Sequence, residues 1–458
     1  MKVTATKDMT NGTPWKLILI FAIPIFLSNL FQQLYNSVDS IIVGNFLSDE
    51  CLAAVSSSGN LIFLFTSFFI GTAGGAGVVI SKFFGAKDYE SMQRAIHTNI
   101  AFGLVASLIL TIAGVCFTPQ ILIWMNVDQE VLPYSIKYFR FYFLGATGVV
   151  MYNIFNGTLQ ALGNSRRPLL YLIISSCLNI ILDLIFIAGF KLGVEWAAIA
   201  TSISQLTSAS LCLIFLMKKG TIYQVKINKV RFHKDMLELI IKYGVPSGIQ
   251  NSVIAIANVF VQSNINQFGK VAMAGCGSYS KVEGFAFLPI TCFNMALTTF
   301  IGQNLGAKEY QRARTGARFG ILCAMILAEI IGIITYIFAP YFIGLFSSSK
   351  EVIEIGTKQA RTMSLFYFLL AYSHSVAAVC RGAGKAFVPM LVMLAIWCGV
   401  RVTYIMIITH FFDDIQYIFY AYPLTWGISS LIYCLYYFLS DWIHGFDNNK
   451  KEKQVLEN

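Results

Sequence analysis

Phe83-Phe84-Gly85-Ala86-Lys87-Asp88-Tyr89 recurs, half the chain further on, as Asn304-Leu305-Gly306-Ala307-Lys308-Glu309-Tyr310. At the same offset, Gly163 to Pro168 (GNSRRP) returns as Gly384 to Pro389 (GKAFVP), and Pro24 answers Pro246 at an offset only one greater. Three landmarks at nearly one offset, spread over half the chain, mark an internal duplication.

What is duplicated follows from hydropathy. The 458 residues are 56% hydrophobic and only 12% charged, against about 25% charged in a soluble globular protein. So little charge cannot cover several cores with a polar surface. The chain is therefore an integral membrane protein, and a two-domain soluble enzyme is excluded. Stretches long enough to cross a bilayer fall at 17–44, 57–80, 96–117, 136–158, 169–189 and 196–216. A second set falls at 245–265, 279–301, 319–339, 361–380, 388–409 and 417–439.

The expected fold is thus all-α, with twelve transmembrane helices in two six-helix lobes. Six is even, so both lobes enter the membrane in the same sense. A pseudo-two-fold axis along the membrane normal should relate them, with the ligand path between. The expected organisation is an N-terminal tail (1–16), a first lobe (17–217), a basic linker (218–244), a second lobe (245–440) and a C-terminal tail (441–458).

Charge placement sets the orientation. With both tails in the cytoplasm, 24 of the 33 Lys and Arg residues lie on the inner side and only Lys191, Lys270, Lys350 and Lys358 outside. The net charge of +10 then reports topology rather than nucleic-acid binding. The ten cysteines are scattered singly and suggest neither a metal site nor a disulfide framework. No removable signal peptide is evident between Met1 and Lys16. There is no HExxH, GxSxG or GxxxxGK[ST], and no loop large enough for a nucleotide domain, which argues against a membrane enzyme or an ATP-driven pump.

Only Asp39, Asp183, Glu283 and Glu329 are acids well inside predicted spans. A carboxylate at bilayer depth is costly and is normally inward-facing and functional. Asp39 and Asp183 both fall on the order of 10 Å below the outer surface, taking roughly 1.5 Å per residue, and Thr201 reaches a similar level. Asn179 and Asp183 are i, i+4 and share a helix face. Carboxylates with amide and hydroxyl oxygens at one depth make a hard-cation site, suited to sodium or protons. The alternative is a structural pair, hydrogen-bonded to Asn and Tyr and inert. Asn153 and Asn156 could equally hold helix to helix. Pro24, with Gln32, Gln33 and Asn36 after it, suggests a bent first helix facing something wet.

In the second lobe, Glu283 lies near Lys281, and Arg401 is in span eleven. A structural salt bridge and substrate contact are both open for these residues. His374 in span ten is either a proton relay or a packing histidine.

Taken together, these features resemble the multidrug and toxic compound extrusion (MATE) family. The resemblance rests on the repeated Gly-Ala-Lys-acid-Tyr signature after spans two and eight and on Val38-Asp39 in a proline-bearing first span. It also rests on Asn179-xxx-Asp183, Val282-Glu283-Gly284-Phe285, Gln303-Asn304-Leu305-Gly306-Ala307 and Arg381-Gly382-Ala383-Gly384. It covers about residues 14–440.

The resemblance implies an antiporter, not an enzyme, that expels organic, often cationic, compounds in exchange for protons or sodium. It implies no cofactor beyond that coupling ion. The family's coupling-cation site carries over to Asp39, Tyr138, Asn153, Asn156, Asn179, Asp183 and Thr201. Another branch places essential acids in spans seven and ten, where this chain offers Asn251, Asn258 and His374 instead. The expected partners are small-molecule substrates and membrane lipid, with the protein acting as a monomer in the plasma membrane. The competing function is a lipid-linked saccharide flippase of the same superfamily, whose lumen should be basic. The in-span charges here are mixed.

Overall fold

A computed structural model describes residues 7–124 and 129–447. The outer parts of the two predicted tails, 1–6 and 448–458, lie outside the described residues. Every element among the described residues is helical. The spans are α1 (Pro14–Phe46), α2 (Asp49–Gly85), α3 (Tyr89–Trp124), α4 (Leu132–Leu144 continuing as Ala146–Ala161), α5 (Arg166–Gly189) and α6 (Glu195–Leu216). They continue as α7 (Lys234–Asn266), α8 (Gly269–Gly306), α9 (Tyr310–Gly344), α10 (Lys350–Gly382), α11 (Phe387–Phe411) and α12 (Gln416–Leu439).

Among the described residues, eleven of these are single runs long and apolar enough to cross a membrane. The remaining one, α4, is divided at Gly145, whose N–H is shared between the Phe141 and Tyr142 carbonyls. With α4 counted, the twelve expected crossings are present. Large apolar side chains such as Ile109, Ile337 and Leu431 stay exposed on the helix flanks, as a surface facing lipid requires.

The duplication is visible in the backbone. Lys87 and Lys308 both take the left-handed conformation, at φ 58° and 60°, as do Gly163 and Gly384 at 77° and 75°. Each ends its helix in the same way. Asp88 N–H bonds the Phe83 carbonyl at 3.0 Å and Glu309 N–H bonds the Asn304 carbonyl at 2.8 Å. Asn164 N–H reaches the Leu159 carbonyl at 2.9 Å and Lys385 N–H that of Cys380 at 2.8 Å. The repeated strings are therefore helix stops, in which a left-handed residue satisfies the last carbonyls.

The described residues divide into two compact units: 7–8 with 27–124 and 129–244, and 9–26 with 245–447. The chain passes between them three times: between Asp8 and Met9 ahead of α1, inside α1 after Phe26, and inside α7 after Gly244. In the first unit, α4 packs chiefly on α6 and α3, and also on α2. The linker is held on α3: Gln93 donates to the Ile222 carbonyl at 2.8 Å, His97 accepts from Lys226 N–H at 3.1 Å, and Arg94 pairs with Asp235 at 2.7 Å. The Gly71–Gly77 run is helical within α2, and a Cβ on Gly75 would overlap the backbone of Tyr243 and Gly244.

In the second unit, α8 packs on α9 and α10. The signature residues Gln303 and Asn304 hold the start of the chain there. Gln303 accepts Met9 N–H at 2.9 Å, and Asn304 and Arg312 donate to the Met9 carbonyl at 3.2 and 3.1 Å. Glu329 also acquires a partner: its carboxylate accepts Phe368 N–H at 3.2 Å. That contact satisfies a backbone group just past the 3-10 turn Ser364–Phe366 that interrupts α10.

Candidate functional site

Asp39 on α1 and Asp183 on α5 face one another inside the first unit, both buried, with their carboxyls within hydrogen-bonding reach. Asp183 is the last residue of regular α-helix before the π-helical turns Leu184–Gly189. Turns of that kind loosen the backbone and recur at functional sites.

The polar atoms around the pair are underused. Asp39 Oδ1, both Asp183 oxygens and both amide atoms of Asn179 are buried without a hydrogen-bond partner among the described residues. Buried carboxylates and amides are normally satisfied, so this group of oxygens has unused capacity for a cation. Tyr138 is buried beside both carboxylates and stacks on Tyr142 at 6.4 Å between ring centroids.

The structure thus brings together Asp39, Tyr138, Asn179 and Asp183. Asn153, Asn156 and Thr201 make no hydrogen bond to the carboxylates among the described residues. The Asn153 amide donates to the Val149 carbonyl at 2.8 Å, and Asn156 accepts from Gln160 at 2.9 Å, so both are engaged within α4. Thr201 is half-buried on α6, one turn before Gln205.

Tyr35 and Gln205 belong to the site although sequence reasoning passed over them. Gln205 donates to the Tyr35 hydroxyl at 3.3 Å, and Tyr35 is an electrostatic neighbour of both acids. Each stands one helical turn from a residue already singled out, Tyr35 before Asp39 and Gln205 after Thr201. Extending the polar faces by i±4 would have found them.

The second unit holds a separate polar cluster. The Glu283 carboxylate accepts from Tyr279 at 3.3 Å, and the Tyr279 and Tyr367 hydroxyls are 2.8 Å apart. Arg401 follows the π-helical segment Leu394–Val400 and is fully buried. Its guanidinium lies over Trp397 and Tyr422, at 4.3 and 4.6 Å from the ring centroids, and donates to Thr425 Oγ1 at 2.7 Å. Among the described residues, no carboxylate is within ion-pair distance of it. Glu283 is its electrostatic neighbour, beyond that distance. His374 packs edge-on to Trp397 at 5.7 Å. Lys281 is exposed and sits over Phe346 at 5.3 Å. Its i, i+2 spacing from Glu283 turns it to another face of α8.

The MatE family profile matches residues 24–185 and 246–407, two blocks that open on the paired prolines Pro24 and Pro246. The chain is 28% identical over 443 residues to the probable multidrug resistance protein YoeA of Bacillus subtilis (strain 168), covering 94% of this chain and 95% of that one. It is 25% identical over 344 residues to the multidrug export protein MepA of Staphylococcus aureus (strain MSSA476), covering 75% and 76% of the two. Among solved structures, an outward-facing multidrug resistance MATE family transporter of the MOP superfamily aligns with a TM-score of 0.88 at 22% identity, over 100% of each chain. At that identity the likeness speaks to the fold.

Proposed function

The chain belongs to the MatE family, a family of membrane transporters and not of enzymes, and we propose that it is a secondary active efflux antiporter. It exports organic, often cationic, compounds in exchange for protons or sodium, from a plasma membrane in which both termini face the cytoplasm. The observation that carries the coupling reading is the contact between Asp39 and Asp183, with Asn179 unsatisfied beside them. Two carboxylates held together away from water need a cation to offset their charge. A proton and a sodium ion both suit that oxygen set.

Dye efflux from inverted membrane vesicles tests this. An imposed proton gradient or an imposed sodium gradient should drive transport in the wild type. If neither does, secondary antiport is wrong.

The coupling step proceeds by alternating access, with cation loading at Asp39 transmitted along α1. Pro24 is the proposed hinge. It lies just before the point at which α1 passes from one compact unit to the other, and it has no N–H for the Ile20 carbonyl. Pro24→Ala should restore that bond and favour a straight helix by about 3 kcal/mol. We expect maximal transport to fall about threefold or more, as for a gating residue, with dye affinity unchanged. Unaltered maximal transport would remove Pro24 from the mechanism.

A further inference from the structure

Four charges share one face at the start of α10. Lys350, Glu354, Lys358 and Arg361 stand at i, i+4, i+8 and i+11, a spacing that stacks side chains along a helix. All four line a cavity of about 780 Å³ between α9, α10 and α12. Its remaining walls are largely apolar, with Tyr336, Phe366 and Tyr420 beside Pro340 and Pro423. The volume falls within the roughly 300–1,000 Å³ of small-molecule sites.

Pro340 fixes the innermost of these charges. It offers no N–H to the Tyr336 carbonyl one turn before it, and Arg361 Nε donates to that freed oxygen at 3.4 Å. The guanidinium also lies over the Tyr336 ring, 5.6 Å from its centroid. Its other N–H groups have no partner among the described residues, and the side chain is exposed. Lys358, one turn away, pairs with Asp414 at 3.1 Å. Lys350 and Glu354 make no ion pair among the described residues. Counting Asp414, three cations meet two carboxylates, and one positive charge is left over. Basic pockets between membrane helices suit anionic headgroups.

The walls decide which kind of anion fits. Tyr336, Phe366 and Tyr420 are 38%, 40% and 45% exposed, and Ile337 and Leu424 beside them are exposed as well. The cavity is therefore continuous with the apolar flank that faces lipid. A free phosphate ion would leave those rings wet. A phospholipid covers them with its chains while its phosphodiester reaches Lys358 and Arg361, and tyrosines are at home at that depth. Phosphatidylcholine brings a second, positive group, which Lys350 would repel.

We propose that this cavity binds the headgroup of an anionic phospholipid, with the phosphodiester at Arg361 and Lys358. In the orientation proposed above, the lipid comes from the outer leaflet. The site needs only that these helices span a bilayer, so its failure would leave the antiport reading untouched.

The test titrates the full-length protein in detergent micelles with phosphatidylglycerol, or with phosphatidylcholine of the same chains, and counts bound lipid by native mass spectrometry. The wild type should bind its first phosphatidylglycerol about tenfold more tightly than phosphatidylcholine, the order expected for one charge-assisted contact. Arg361→Gln should erase most of that preference and leave phosphatidylcholine binding within about twofold, since only the charged contact is removed. A preference that survives in the folded variant overturns the site.

Glu354→Gln gives a second reading of opposite sign, whether or not Arg361→Gln folds. Removing the carboxylate from the cavity should tighten phosphatidylglycerol several-fold, and weaker binding would overturn the site. Inorganic phosphate separates the two sources of a phosphate group. Phosphatidylglycerol that stays bound in the presence of an equal concentration of phosphate supports the lipid site. Its displacement would make this a free-anion site and overturn the proposal.

Discussion

Asp39→Asn is expected to abolish gradient-driven efflux while the protein inserts and folds as before. Asp39 and Asp183 face one another, are buried, and leave three of their four oxygens without partners among the described residues. An amide in place of the first carboxylate keeps the shape but removes one of the two charges that, on the proposed reading, would hold the cation. Loss of a charged ligand costs about 1.5–3 kcal/mol. At about 1.4 kcal/mol per factor of ten, cation affinity should fall roughly tenfold to 100-fold. A coupled carrier that no longer binds its driving ion has no source of energy, so net efflux against a gradient should vanish.

Stability should move the other way. Replacing one of two contacting carboxylates relieves repulsion between like charges, so thermal unfolding should occur at the same or a higher temperature. Dye resistance in a sensitised cell, read beside membrane yield and melting temperature, separates the two effects. Asp183→Asn should behave in the same way. Normal resistance in either variant would show the pair to be structural.

The second large effect is on folding. Gly75→Ala should destabilise the protein by about 3 kcal/mol, the upper end for overpacking, and lower its melting temperature by roughly 6–12 °C for a unit of this size. Gly75 in α2 lies against the backbone of Tyr243 and Gly244 in α7, where a Cβ has no room. A side chain could rotate away, but backbone can move only with its helix. The contact is tight from the other side as well: a Cβ on Gly244 would stand 2.9 Å from Thr72 Cγ2 and 3.0 Å from the Thr72 carbonyl oxygen.

Gly74→Ala is the built-in control. Gly74 is exposed, and nothing lies within 4 Å of the place a Cβ would take there. Alanine at that position should stabilise the helix by about 0.5–1 kcal/mol. Opposite shifts at adjacent glycines would confirm that crowding and not helix propensity sets the cost. Equal shifts would contradict the close helix crossing.

Much of this architecture was readable from order and spacing alone. Repetition at one fixed offset, twelve apolar runs and the scarcity of charge specify a duplicated bundle, because a lipid environment forces each run to satisfy its own backbone. The acids were legible for the same reason: Asp39 and Asp183 stand out in runs that should exclude them. The flanking residues were less so. Asn153 and Asn156 have the same composition signal as Asn179, yet they bond within their own helix, and rotation about a helix axis is not written in spacing between spans. Glu329 had no visible partner because the partner is the backbone N–H of Phe368, on the next helix and exposed by a break in α10.

The number of crossings, the duplication and the rarity of intramembrane charge are all legible along the chain, since they follow from local hydropathy and from repetition. Tertiary structure alone decided which polar groups meet. It placed Tyr35 and Gln205 beside the carboxylates, turned Lys281 away from Glu283, and set Arg401 between two aromatic faces with a donor unused. The physical reason is that side-chain partners across helices depend on the azimuth and depth of each helix. Packing sets those for the whole bundle at once, and breaks such as the π turns beside Asp183 and Arg401 shift them further.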